Sequence, residues 1–302
     1  MDGRRHGILI GYDGSEDADS AVAWAAEAAR LRAEPVVVVI AEDTGADALG
    51  LRWWPQSYWR ELGERAQSVL HEAGVSDVRV ERHAGALVPA LVPLADDASM
   101  LVLGSRGHGR AGQAFVGSTS QGAAGHAPCP VVVVREQANP DSDRLVVGLD
   151  GSPGSEAALE FACRQAELTG QRLLVLHGAG AAADPPVAAP DAVAAQDAVA
   201  TQEAVATQDE VATPDAVATQ DEVATPDAVA EAVARARAGH PGVPLETQAV
   251  DQPAAQALVD ASSDATLVVV GSRGLRAYEG MQLGSVSHDV LRRACCSVAV
   301  VR

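Results

Sequence analysis

The sequence predicts two tandem copies of a three-layer α/β/α domain, each built on a five-stranded parallel sheet. Three observations lead there. First, the chain repeats itself: Ile8-Leu9-Ile10-Gly11-Tyr12-Asp13-Gly14-Ser15 returns 137 residues later as Leu145-Val146-Val147-Gly148-Leu149-Asp150-Gly151-Ser152. Met100-Leu101-Val102-Leu103-Gly104-Ser105-Arg106-Gly107 returns as Leu267-Val268-Val269-Val270-Gly271-Ser272-Arg273-Gly274, at an offset of 167. Second, short β-branched runs are continuous rather than alternating, as strands covered on both faces must be. Third, alanine-rich stretches of helical length separate them, which requires right-handed crossovers between parallel strands. The copies span residues 1–138 and 143–302.

In chain order, the first copy offers strands at 8–12, 36–41, 78–82, 100–104 and 131–135. Ser15–Leu31 and Glu61–Ala73 are the clearest helices. The second copy repeats the plan, with strands near 145–149, 172–177, 245–250, 266–271 and 297–301. The last strand of each copy has a free edge, so the copies are expected to pair there as an internal pseudo-dimer and so cover an aggregation-prone edge.

The change of offset from 137 to 167 places about 30 extra residues inside the second copy. They coincide with a six-residue unit, roughly Asp-Ala/Glu-Val-Ala-Thr-Gln/Pro, repeated between Asp191 and Ala232. Valine recurs at 193, 199, 205, 211, 217, 223 and 229. At ~100° per residue, that period scatters the valines around a helix instead of aligning them, and Pro190, Pro214 and Pro226 interrupt it further. Residues 180–231 hold 11 acidic and no basic side chains. The segment reads as a flexible, acidic, solvent-exposed insertion.

Of the 302 residues, 47% are apolar, enough for a buried core, and the net charge is −19. Such a charge opposes sequence-independent nucleic-acid binding, which depends on neutralising phosphates. All 22 basic residues are arginine. Without lysine there is no P-loop, no kinase-type phosphate lysine and no Schiff base. No apolar run approaches the ~18 residues of a membrane span, and the N-terminus lacks a signal-peptide core. A cytoplasmic protein that binds neither membrane nor nucleic acid is expected. Four cysteines, including the adjacent Cys295-Cys296, do not resemble a secreted disulfide framework. The adjacent pair is expected to be buried and inert.

The chemistry gathers at strand ends, where open α/β sheets bind ligands. Asp13 and Asp150 end the first strand of each copy; each either meets a hydroxylated ligand or caps the next helix. After the fourth strand, Gly104 and Gly107 are followed, after nine intervening residues, by Gly117-Ser118, and Gly271 and Gly274, again after nine, by Gly284-Ser285. Glycines let a ligand approach backbone N–H groups, and a Gly-Ser at a helix start presents donors to an anion. Ser120 and Ser287 add hydroxyls nearby. Arg106 and Arg273 lie within these turns, placed either to pair with phosphate or to stay solvated.

The pattern Gly-x2-Gly-x9-Gly-Ser, with Asp-Gly-Ser after the first strand and His126-Ala127-Pro128-Cys129-Pro130-Val131 before the last, resembles the universal stress protein family. The resemblance covers both copies and implies a tandem protein of the ATP-binding type, with a Rossmann-like fold akin to the adenine nucleotide alpha hydrolases. It implies that Asp13 and Asp150 contact the ribose, and that Ile40-Ala41 and His177-Gly178 border the adenine. Gly104, Gly107, Gly117 and Ser118, with Gly271, Gly274, Gly284 and Ser285, would hold ribose and phosphates. The ligand implied is ATP, with or without Mg2+, at one site per copy. The second copy has Arg276 where the first has a third loop glycine, Gly109, a change that stiffens or recharges the second loop and bears on occupancy of its site.

A regulatory role in stress response is expected rather than catalysis. Slow ATP hydrolysis or nucleotidyl transfer on the same fold is the alternative, although the His-x-Gly-His signature of adenylyl-transferring relatives is missing. A homodimer of the whole chain is compatible with the family, and the sequence identifies no protein partner. Trp53, Trp54, Tyr58 and Trp59 form an aromatic cluster, expected to pack on the first copy's own helices.

Overall fold

The computed structural model describes residues 6–42, 56–107, 116–178, 226–275 and 282–302. Trp53, Trp54, Gly109, Arg276 and most of the acidic insertion lie outside them. The first domain runs β1 (Gly7–Gly11), α1 (Glu16–Arg32), β2 (Val36–Glu42), α2 (Gln56–Glu72), β3 (Val78–Ala84), α3 (Leu87–Ala95), β4 (Ala98–Gly104), α4 (Ser118–His126) and β5 (Val131–Val134). The second runs β6 (Arg144–Leu149), α5 (Pro153–Thr169), β7 (Arg172–Gly178), α6 (Pro226–Gly239), β8 (Leu245–Val250), α7 (Ala254–Ala261), β9 (Leu267–Gly271), α8 (Ser285–Arg293) and β10 (Ser297–Val301).

All ten strands form one sheet, in the order β3-β2-β1-β4-β5-β10-β9-β6-β7-β8. Within each domain every pairing is parallel. At the centre, β5 and β10 run antiparallel, with Val133 opposite Val298 and Val131 opposite Val300. The expected internal pairing through the last strands is therefore present. Register preserves the repeat as well: Val36 lies opposite Ile8, and Leu173 opposite Leu145.

Helices cover both faces. Ile8, Ile10, Val36 and Val38 meet α1 and α2 on one side, while Leu9, Val37, Leu101 and Leu103 meet α3 and α4 on the other. The second domain repeats these layers, and both cores continue across the β5–β10 seam. Helix α1 faces the sheet with Ala18, Ala21, Val22, Ala25, Ala26, Ala28 and Ala29. Small side chains let its axis approach closely, and the buried valines and leucines opposite contribute ~1.5–3 kcal/mol each.

Ser15 and Ser152 cap α1 and α5, their hydroxyls accepting from the N–H of Ala18 and Ser155 at 3.2 Å. Both helices end in a left-handed residue, Ala33 (φ 52°) in one domain and Gly170 (φ 70°) in the other.

Two expectations need correction. Helix α6 starts at Pro226, inside the span assigned to the insertion, and buries Val229, Ala232, Val233 and Ala236 against α5 and the sheet. Its proline occupies the first turn, where the missing N–H costs nothing. The last hexapeptide is thus the start of a core helix. Cys295 is exposed, whereas Cys296 is buried, and burial pushes the Cys296 thiol up to about 12.

Candidate nucleotide sites at the switch points

In each domain strand order reverses beside the first strand. The crevice therefore opens between β1 and β4, and again between β6 and β9, beyond their carboxyl ends. In the first domain this is a cleft of about 400 Å³ reaching from Gly11, Asp13 and Leu87 to Gly104, Gly107 and Gly117. Sequence reasoning missed Leu87 and Val116, which line its apolar side; single apolar residues beside a turn carry no local signal.

The glycines divide into three kinds. A Cβ on Gly104 would lie 2.6–2.9 Å from the backbone of Asp17 and Ala18, and one on Gly271 would lie 2.8–3.0 Å from Gly154 and Ser155. These two allow β4 and β9 to end directly against the start of α1 and α5. Gly107 and Gly274 differ, since a Cβ there would meet only the carboxylate end of Asp13 or Asp150, which can turn aside. The protein's own packing explains Gly104 and Gly271.

Gly117 and Gly284 are different. Their φ angles are −63° and −70°, open to any residue, and an added Cβ would make only ordinary contacts from 3.6 Å outward. They occupy the N-cap positions of α4 and α8, and no side chain caps either helix. Each donates its own N–H to a strand-end carbonyl, Gly117 to Ser105 and Gly284 to Ser272, both at 2.8 Å. Two bare helix starts at equivalent positions contrast with the serine caps of α1 and α5. Bare N–H groups at a helix start, carrying the positive end of the helix dipole, suit an anion.

Asp13 accepts the N–H of Ser15 at 3.0 Å. Asp150 accepts from Ser152 N at 3.0 Å and Ser152 Oγ at 2.6 Å, and its second oxygen takes the N–H of Leu275 at 3.2 Å. Both aspartates thus order the turn after the first strand while standing at the crevice.

Ser118 and Ser285 are exposed at their helix starts. Ser120 and Ser287, expected as ligand donors, are buried and donate instead to the carbonyls of Gly104 and Gly271. Ile40 is fully buried with α1 and α2, and Ala41 is half-buried beyond it. His177 lies opposite Leu149, the residue before Asp150, and the exposed Gly178 follows it as the last residue of β7.

The arginines of the two turns behave differently. Arg106 pairs with Asp17 of α1 through Nε at 3.1 Å and Nη2 at 3.4 Å, and Ser105 Oγ donates to the same carboxylate at 2.6 Å. Burial opposes the Asp17 charge, but the bonds from Ser105 and Arg106 outweigh it and hold this carboxyl below its ordinary range. Arg273 is exposed and has no such carboxylate among the described residues. Nearby, Tyr12 donates to Asp19 at 2.7 Å, and Arg65 of α2 bonds the same carboxylate. Burial and then that bond push the Tyr12 phenol far above its usual range. Of the aromatic cluster, Tyr58 and Trp59 meet edge to face at 5.1 Å and pack against the core beside α1 and α2.

Fold and clefts together define a tandem, doubly wound α/β protein whose halves share one sheet. The model of the universal stress protein family matches residues 5–135 and again 142–302. The chain belongs to this family. It is 34% identical to Universal stress protein Rv2623 of Mycobacterium tuberculosis, over 98% of this chain and 96% of that protein. Universal stress protein Rv2005c of the same organism is 31% identical, over 99% and 98%. Among solved structures, a universal stress protein from Archaeoglobus fulgidus superposes over 100% of this chain and 99% of its own, with a TM-score of 0.65 at 19% identity. No helix among the described residues is long and apolar enough to cross a membrane.

Proposed function

We propose that the chain binds an adenine nucleotide, ATP in the first instance, once in each domain, and acts in stress response as a regulatory protein rather than as an enzyme. The observation that carries this reading is the pair Gly117 and Gly284. Neither glycine is required by the protein's own packing or backbone, and each leaves an uncapped helix start at the floor of a strand-end crevice. A phosphate bound at the helix start would take the space that a Cβ would otherwise occupy. Asp13 and Asp150 supply carboxylates for ribose hydroxyls, and the ends of β2 and β7 supply an edge for the base. The absence of lysine from the whole sequence leaves arginine as the only fixed cation for phosphate, which favours holding a nucleotide over turning it over.

Mass spectrometry of small molecules released on denaturing freshly purified protein tests the ligand, and calorimetry with ATP tests the stoichiometry, expected to approach two per chain. A protein that releases no nucleotide and takes up none at millimolar ATP would refute the proposal. Steady production of ADP by pure protein would replace the regulatory reading with the hydrolytic one.

A further inference from the structure

The two crevices carry the same Ser-Arg step between their first two glycines, yet the first turn of the helix beneath it differs. In α1 that turn reads Glu16-Asp17-Ala18-Asp19; at the equivalent positions α5 reads Pro153-Gly154-Ser155-Glu156. The carboxylate that holds Arg106 therefore has a glycine as its counterpart. Gly154 cannot be exchanged for a carboxylate at no cost, because a Cβ there would stand 2.8 Å from the carbonyl oxygen of Arg273. The turn in the second domain sits against the helix where the first domain keeps a side chain.

The remaining acid of α5's first turn, Glu156, is engaged elsewhere, paired with Arg235 of α6 at 2.8 Å. That pair parallels Asp19 with Arg65 in the first domain. Arg273 is left exposed, and its Cα lies 3.6 Å from the Cβ position of Gly284, at the uncapped start of α8. Arg302 adds positive potential at Arg273, as Arg135 does at Arg106.

We infer that Arg273 is the phosphate-reading residue of the protein, and that Arg106, held by Asp17, is not: the second-domain crevice selects nucleotides by phosphate charge, while the first-domain crevice does so weakly. The inference rests on the proposed nucleotide sites and assigns their selectivity. The charge balance supports it. Asp13, Asp17, Arg106 and the nearby Arg135 leave the first crevice neutral, whereas Asp150, Arg273 and the nearby Arg302 leave the second with one net positive charge. A free guanidinium forms charge-assisted bonds with phosphate oxygens; one already engaged by a carboxylate must first break those bonds.

Calorimetry on the full chain with ATP, AMP and adenosine, at two salt concentrations, tests this. Arg273→Gln should weaken ATP binding at one of two sites by about tenfold, while adenosine affinity stays within about twofold. Arg106→Gln should leave both affinities within about twofold. Asp17→Asn keeps the side chain's shape while weakening its hold on Arg106, and should strengthen ATP binding at the other site with adenosine unchanged. The phosphate-dependent part should shrink at high salt. Thermal unfolding confirms that each variant is folded. If ATP binds and Arg273→Gln does not change the ratio of ATP to adenosine affinity, or if both arginine variants change it equally, the inference is overturned and the sites stand. If wild type binds neither ATP nor adenosine, the sites themselves fall, and the inference with them.

Discussion

Arg135 and Arg302, which follow the last strands of the two domains, each cap a helix of the other domain. The guanidinium of Arg135 donates to the carbonyls of Leu291 and Ala294 at the end of α8, and that of Arg302 to the carbonyl of Gly125 near the end of α4. They stand 167 residues apart, the offset that relates the two glycine patterns. A cation at a helix C-terminus satisfies orphan carbonyls and meets the negative end of the dipole. Together with the β5–β10 ladder, this exchange makes each domain complete the other.

Arg135→Ala should accordingly destabilise the whole chain by about 1.5–3 kcal/mol, the range for bonds to a charged group. Arg135→Lys should recover little, because one ammonium cannot serve both carbonyls in the fork geometry of a guanidinium. Urea unfolding measures both. Separately expressed domains should associate when mixed; halves that remain monomeric would contradict the seam as an intrinsic interface.

Gly117→Ala and Gly284→Ala should each lower ATP affinity at least about tenfold at one site and barely shift the melting temperature, since their added Cβ meets only ordinary contacts. Gly104→Ala should do the reverse first, destabilising the fold by driving β4 away from α1. Calorimetry and thermal unfolding of the three variants separate ligand space from packing space. Unchanged ATP affinity in the Gly117→Ala, Gly284→Ala double variant would place the ligand elsewhere.

Removing Asp191–Thr225 should leave stability almost unchanged, as loop length enters closure entropy at only ~0.6 kcal/mol per doubling. Extending the deletion through Ala232 should be costly, because it removes the first turns of α6 and the buried Val229 and Ala232. Loss of one buried valine alone is worth ~1.5 kcal/mol or more. Melting curves of the two deletions should differ by several degrees.

His240 sits at the end of α6, its ring 11% exposed, between Glu167 (3.0 Å from Nδ1) and Glu160 (3.2 Å from Nε2) of α5. Arg164 also pairs with Glu160. The bond to Glu167, with help from Glu160 and against some burial, raises the imidazole pKa above its ordinary value. A group with a raised folded pKa lends stability that is full below the unfolded value of ~6.5 and disappears as pH climbs through the folded one. His240→Gln should therefore cost more stability at pH 6 than at pH 8.5. Equal losses at both would show that the ring acts only by packing.

Ala33→Gly should stabilise the protein, by ~1 kcal/mol, since a left-handed alanine bears a steric cost that glycine escapes. The second domain already has Gly170 at that position. Chemical denaturation checks it, and a decrease would mean that unfolded-chain entropy dominates.

The inner strands were legible because β-branched runs buried on both faces leave little else for them to be, whereas the edge strands β3 and β8 are mixed in sequence and largely exposed. Helix α6 escaped because its first valine continues the six-residue rhythm of the preceding repeats. The signal was present all the same: Val229, Ala232, Val233 and Ala236 fall at i, i+3, i+4 and i+7, and Pro226 stands at the helix start. At the candidate site, the repeat singled out the turns that the fold gathers at the two crevices but not the work of each residue. Ser120 looked like a ligand donor and is a strand-end brace; Arg106 looked available and is held by a carboxylate 89 residues away in sequence. Such assignments depend on which helix start a strand end abuts, and local pattern does not encode that.

The antiparallel meeting of β5 and β10 reverses direction at the middle of the sheet. All strands of the first domain therefore point their carboxyl ends to one rim, and all strands of the second to the other. The two crevices open on opposite rims of a single sheet. Two polyanionic ligands held there would be kept apart by the four strands β4, β5, β10 and β9. A flat partner docked over one opening would leave its twin facing solvent, so a single copy of this chain has the geometry of a two-headed connector.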